Sequence, residues 1–221
     1  MFVGHYSAAF AAKAWERRIP LWVLFVAAQL VDFLWAIFVL TGVEKVRIVP
    51  GLMKASALDL YYMPFTHSLV GAALWSVAGG IALNFAVRAR STATAVLIGL
   101  VVFSHWIGDL LVHRPDLPLF TDGSMKLGLG MWNYFWPELA LEVVLLPITI
   151  HLWLRMERKA DTITKRKIAG AWTLFGLLVI FQCIDKFGPP PMSPQGMAGS
   201  ALAAYTVLAG AAAWVDKRPP S

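Results

Sequence analysis

Six runs of about twenty mostly apolar residues recur along the chain, at 19–41, 65–87, 92–112, 137–154, 168–187 and 197–215, each long enough for one helical crossing of a bilayer. In hydrocarbon the backbone must satisfy its own hydrogen bonds, so runs of this length are expected to fold as α-helices. Composition agrees, with 58% hydrophobic and 14% charged residues, where soluble domains carry about 25% charged. The expected fold class is all-α: a polytopic transmembrane helical bundle of six clear spans, forming a single integral membrane domain over 1–221. The joints between runs hold helix-stopping or charged residues, notably Arg88-Ala-Arg90, the segment 155–167 and the Pro-rich 188–194. An internal repeat, a separate soluble domain or a cleavable signal peptide is not expected.

A net charge of +6 would suggest nucleic acid as partner for a soluble protein, but in a membrane protein it reports topology first, and no nucleic acid is expected here. Thirteen Lys and Arg fall on one set of joints: Lys13, Arg17, Arg18, Arg88, Arg90, six within 155–167, Lys217 and Arg218. Six fall on the other: Lys45, Arg47, Lys54, Arg114, Lys126 and Lys186. The first set is expected to be cytoplasmic, with the C-terminus. The segment 2–15 is apolar and Ala-rich but shorter than a crossing. It either inserts as an N-terminal helix, antiparallel to the first span, or lies as an interfacial helix on the cytoplasmic surface. If inserted, His5 and Asp32 lie at similar distances from the turn at Arg17 and Arg18, each roughly 20 Å away at ~1.5 Å per residue.

Ionisable side chains in a bilayer core cost roughly 3 kcal/mol each on insertion scales, so they usually face a bundle interior and serve a function. They recur here: Asp32 in the first span, His67 opening the second, His105, Asp109 and His113 on the third, Glu138 and Glu142 on the fourth, Asp185 near the end of the fifth. The charge-derived topology puts them all in the outer half of the membrane or at its outer edge, where one pocket can collect them. His105-x-x-x-Asp109-x-x-x-His113 puts three potential ligands on one helical face. The same stripe also suits a hydrogen-bond ladder or a proton relay, and His113, beside Arg114-Pro115, also reads as an interfacial histidine. Cys183 is the single cysteine, so any metal must use His, Asp or Glu. Glu142 could orient a histidine from behind or pair with a cation; Asp59 could dip into the pocket mouth or be plain loop. Asp185 is expected to pair with Lys186, and His151 lies too near the cytoplasmic end to join.

The order of these motifs resembles the YdjM-like family of membrane-bound metal-dependent hydrolases, itself distantly similar to zinc-dependent phospholipase C and the P1-type nucleases. The likeness rests on His5 in Gly4-His-Tyr-Ser7, Asp32 in Val31-Asp-Phe33, His67 in Thr66-His-Ser68, and His105 and Asp109 in Ser104-His-Trp-Ile-Gly-Asp109, and it covers 1–113. It leaves 114–221 as supporting helices. It implies a site for one or two divalent ions, Zn²⁺ by preference, with His5, Asp32, His67, His105 and Asp109 as ligands and Asp109 able to bridge; His113, on the same helical face by its spacing, is an auxiliary candidate ligand. The soluble relatives add a second His and a His-x-x-x-Glu, where this chain has only Glu138-x-x-x-Glu142 and His113. The Pro-Asp-x-Asp-His form of nearer relatives is also absent around Asp32.

The function expected is therefore metal-dependent hydrolysis of an ester or phosphoester near the outer face, by water made acidic at the metal. Asp59 or Glu142 would receive the proton. Expected partners are the lipid bilayer and a small or lipid-like substrate, held if anionic by Arg47, Lys54, Arg114 or Lys126. The family likeness places the protein in a bacterial inner membrane. The alternative is an ion-coupled transporter or proton relay using the same cluster, and a third reading is a scaffold held together by buried polar residues. The segment 123–137 is expected to be an aromatic belt at the interface or a lid. The small residues Gly196, Gly199, Ser200, Ala203 and Ala204 are expected to give a close-packing helix face.

Overall fold

The computed structural model describes residues 1–89 and 91–216; Arg90, Lys217 and Arg218, used in the charge count above, lie outside the described residues. The chain is all-helical apart from short strands. A 3₁₀ turn, Val3–His5, leads into α1 (Tyr6–Trp15), followed by α2 (Leu21–Ala28) and α3 (Leu30–Leu40). After the hairpin β1 (Lys45–Ile48) and β2 (Leu58–Tyr62) come α4 (Leu69–Ala86) and α5 (Thr92–Val112). Two-residue strands β3 (Leu117–Pro118) and β4 (Lys126–Leu127) precede α6 (Phe135–Lys159), α7 (Lys165–Phe187) and α8 (Pro194–Val215). Both hairpins are antiparallel, and both lie at one end of the bundle. Five helices, α4 to α8, are long and apolar enough to cross a membrane, consistent with an integral membrane protein.

The run 19–41 differs from expectation. It is two helices, α2 and α3, meeting at Gln29 with a bend of 53°, and it makes a sixth candidate span only if the pair is taken as one. The cause is tertiary. Gln29 Nε2 donates to the Phe2 carbonyl (3.0 Å), and the carbonyl of Ala28, at the break, is taken by His105 Nδ1 (2.8 Å). His105 thus stands in for the amide that a continuous helix would bring to the Ala28 carbonyl, and the Gln29 side chain ties the break to the N-terminal turn. The run at 65–87 starts its helix late, at Leu69, because Ser68 caps it by accepting from Gly71 N (2.9 Å).

The segment 2–15 does not lie on the surface of the fold. Tyr6, Ala9, Phe10 and Ala14 are buried, and α1 packs chiefly on α6 and α2, with Phe10 between Phe25 and Trp153. Where α1 turns into α2, Lys13 is 3% exposed and donates to the Arg17 carbonyl (3.0 Å), the Ile19 carbonyl (2.7 Å) and Asp216 Oδ2 (2.8 Å). Asp216 also accepts from Leu21 N (2.8 Å), so one carboxylate at the end of α8 ties that helix to the α1–α2 corner.

Close helix contact comes from other glycines than expected. A Cβ on Gly80 would lie 2.5 Å from the Ala95 carbonyl, and one on Gly99 2.9 Å from the Ser76 carbonyl, so α4 and α5 touch backbone to backbone. On α8, by contrast, Gly196, Gly199, Ser200 and Ala203 are exposed, and the helix packs through Ala198, Tyr205, Leu208 and Ala212.

Candidate metal centre

Four helical segments deliver the buried polar side chains. His5 ends the 3₁₀ turn, Asp32 lies in the first turn of α3, His67 sits just before α4, and His105 and Asp109 are one turn apart on α5. All are 9% exposed or less. Two overlapping groups form, His5 with His105 and Asp109, and Asp32 with His67 and His105, each with its ligand atoms within 4.8 Å of one another. His105 Nε2 lies 3.1 Å from Asp109 Oδ2 and 3.4 Å from Asp32 Oδ1. His67 Nε2 lies 3.4 Å from the same Asp32 oxygen and 3.6 Å from Asp109 Oδ2. His5 Nε2 is 3.2 Å from Asp109 Oδ1, and its ring stacks on His105 at 3.7 Å.

For His67, His105 and His113 the far side of the ring shows which nitrogen is free. His105 Nδ1 meets the Ala28 carbonyl, which can only accept, so Nδ1 carries the hydrogen. Thr66 Oγ1 donates to Glu44 Oε2 (2.6 Å), so at its 2.7 Å contact with His67 Nδ1 it accepts. His113 Nδ1 donates to Asp116 Oδ1 (2.9 Å). With Nδ1 hydrogen-bonded in this way, the neutral imidazole turns its Nε2 lone pair inward, the arrangement that holds metal-ligating histidines. Nitrogen lone pairs then face carboxylate lone pairs, and His5 Nε2, His105 Nε2 and Asp109 Oδ2 are buried without a hydrogen-bond partner. Facing lone pairs repel unless a cation or a proton lies between them. A borderline-soft divalent ion with N and O ligands fits this donor set. The buried His/Asp groups can therefore hold a metal ion.

Asp109 Oδ1 also accepts from the Met1 amino group (2.7 Å). His113 stands beside the two groups rather than in them, its Nε2 3.6 Å from Asp109 Oδ1 and its ring 4.2 Å from Trp132. Asp59 is not drawn into the cluster. One of its oxygens is held by Arg47 (2.8 Å to the guanidinium) and the other by Arg114, which also reaches Asp116 Oδ2 (3.4 Å). Glu142 is fully buried, and its Oε2 accepts from Phe2 N (2.8 Å) and Gly4 N (2.9 Å), so it grips the turn that carries His5. Asp185 lies 3.5 Å from Lys186, but the shorter contact of that ammonium is with Glu138 Oε1 at 3.0 Å. His151 is exposed and remote, on the other end of α6.

Asp32, His67, Asp109 and His113 line a cavity of about 570 Å³, whose walls include Trp132, Lys186 and the inner face of α8 at Ser200, Ala204 and Tyr205. Tyr205 donates to Asp32 Oδ2 (3.0 Å). Of the segment 123–137, Trp132 is buried and lines this cavity, while Leu129, Tyr134 and Trp136 are exposed. Sequence reading missed Glu44, Asp116, Trp132 and Tyr205. Asp116, three residues past His113, offered a local signal; the others meet the site only through the fold.

Fold and site thus define an all-helical protein with apolar, membrane-length helices and a buried His/Asp cluster opening on a cavity. Comparison with family models, with curated proteins and with solved structures finds no match.

Proposed function

We propose that the protein is a membrane-embedded, metal-dependent hydrolase of an ester or phosphoester, related to the YdjM-like family that its motif order resembles. The observation that carries this reading is the set of histidines whose Nδ1 atoms are hydrogen-bonded to fixed acceptors while their Nε2 atoms converge on two carboxylates. A proton relay needs rings free to exchange a proton at either nitrogen, and an acceptor fixed at Nδ1 opposes that. His5, His105, Asp109, Asp32 and His67 would hold one or two ions, zinc by preference. A bound divalent ion supplies Lewis acidity, making water acidic enough to attack an ester at neutral pH.

The chain's own groups set the rest. Asp116 behind His113 and Glu44 through Thr66 behind His67 fix ring tautomer and direction. Glu142 positions His5 by fixing the backbone of its turn. Asp59 is engaged by two guanidinium groups, and in this reading it secures the β1–β2 hairpin rather than moving a proton. Lys54, on the cavity wall, brings a cation for an anionic group, whereas Lys186 is held by Glu138. In this reading α1 inserts beside the bent α2–α3 pair, which counts as a sixth span. The cluster faces the outer half of a bacterial inner membrane, and the C-terminus is cytoplasmic.

The test is metal analysis of the purified full chain, with and without His105→Ala, alongside hydrolysis of p-nitrophenyl esters and bis(p-nitrophenyl) phosphate. The expected result is at least one zinc, manganese or iron per chain, lost in the variant together with hydrolysis. A metal-free preparation unchanged by His105→Ala refutes the reading. Proteoliposome flux abolished by Asp32→Asn, without bound metal, would establish the transporter instead.

A further inference from the structure

The opposite end of α6 carries a second constellation that the metal reading does not use. His151, Arg155 and Arg158 follow one another at four- and three-residue steps, so they share one face of the helix. They line a groove of about 320 Å³ whose remaining walls are Leu154, Ile163, Ile168 and Trp172. That volume is within the ~300–1,000 Å³ range of ligand pockets.

Among the described residues, the charge of this groove has no counterion. Arg155 and Arg158 are exposed and make no ion pair among the described residues. The carboxylate nearest in sequence, Glu157, is 2% exposed and turned inward. Lys167 Nζ (2.6 Å) and Thr162 Oγ1 (2.6 Å) donate to its Oε2, and Trp153 Nε1 donates to its Oε1 (3.3 Å). Among the described residues, two guanidinium groups therefore stand without a carboxylate partner above an apolar wall, at the end of a helix long and apolar enough to cross a membrane. Trp172, 43% exposed, adds an aromatic ring of the kind that settles at headgroup level.

We infer that this groove binds the headgroup of an anionic membrane phospholipid, with Arg155 and Arg158 on the phosphate and the apolar wall along the first part of an acyl chain. Guanidinium pairs recognise phosphate oxygens bidentately. A soluble anion would satisfy the arginines but leave Leu154, Ile163, Ile168 and Trp172 wet. A zwitterionic lipid would satisfy the wall but bring its own cation against them. Basic pockets between membrane helices at the cytoplasmic side hold anionic lipids for the same combination of reasons. The inference is independent of the metal centre, which lies beyond Glu142, roughly 20 Å away along α6 at ~1.5 Å per residue.

The experiment is native mass spectrometry of the full chain in detergent, titrated with phosphatidylglycerol, phosphatidylcholine or inorganic phosphate. One molecule of phosphatidylglycerol is expected to bind in preference to phosphatidylcholine. Each arginine near an anionic lipid contributes roughly fivefold in affinity, so Arg155→Gln with Arg158→Gln should weaken binding roughly 25-fold. Ile163→Trp, which fills the groove and keeps both arginines, should weaken it too. Lys159→Gln with Lys165→Gln removes the same charge from the same end outside the groove and should leave binding within about threefold. Equal binding of the two lipids, saturation by inorganic phosphate at the same concentration, or equal loss in the lysine pair would each overturn the inference.

Discussion

Glu142 offers the sharpest separation between holding a site and performing chemistry in it. Its Oε2 alone accepts both Phe2 N and Gly4 N, so the turn carrying His5 is docked through a single oxygen. Hydrogen bonds to a charged acceptor contribute about 1.5–3 kcal/mol each, and a buried N–H left without a partner costs about 1–3 kcal/mol. Glu142→Ala should therefore weaken docking of the turn by about 2–6 kcal/mol. Loss of a group that orients a ligand lowers metal affinity about 10–100-fold, and at about 1.4 kcal/mol per tenfold the docking term suffices for that. Glu142→Gln keeps one carbonyl oxygen able to accept both N–H groups. It forfeits only the charge contribution, about 1–2 kcal/mol, so its zinc affinity should fall by about 5- to 30-fold at most, less than in the Ala variant. The assay is competition with a chromophoric chelator for affinity, together with hydrolysis rates of the metal-saturated protein. A Gln variant that is fully loaded with zinc but inert would refute positioning and make Glu142 the proton acceptor. An Ala variant of unchanged affinity would refute the docking argument itself.

Tyr205→Phe removes the hydroxyl that donates to Asp32 Oδ2; the expected cost is about 1 kcal/mol, read as a several-fold weaker metal affinity in chelator competition with the fold intact by circular dichroism. Gly80→Leu places a side chain where even a Cβ would meet the Ala95 carbonyl at 2.5 Å, so α4 and α5 must separate. Overpacking of this kind costs about 1–3 kcal/mol, and a thermal midpoint in detergent that did not fall would contradict the backbone contact. Topology is tested by single cysteines in a Cys183→Ala background. Asp122→Cys should react with an impermeant maleimide added outside whole cells, and Lys159→Cys only after lysis; the reverse pattern would invert the orientation drawn from the positive charges.

The spans were legible because hydropathy over about twenty residues is a local property, and α4 to α8 coincide with five of the six runs. His105 and Asp109 were legible for a similar reason, since a four-residue step on a helix fixes a shared face whatever surrounds it. His5 and Asp32 needed a further argument from depth, which held in the sense that both reach His105 or Asp109 in the fold. What no window of sequence contains is the other side of each ring. Glu44 reaches His67 through Thr66 across 22 residues of chain, and Ala28 meets His105 across 77.

These outer contacts follow a rule that also explains the fold's main departure from expectation. Within a continuous helix each carbonyl already serves the amide four residues on, so an acceptor for a ring from another helix is most open where that ladder is interrupted or where a side chain supplies it. A histidine that must present Nε2 as a lone pair needs an acceptor at Nδ1, and for His67, His105 and His113 the chain supplies it where regular helix stops. Ala28 is at the α2–α3 break, Thr66 is in the turn before α4, and Asp116 lies beyond the end of α5. The 53° bend at Gln29 is thus not an accident of a weak helix, since α2 and α3 are both strongly apolar. At that bend the Ala28 carbonyl stands outside the helical ladder and accepts from His105 Nδ1, which fixes the ring.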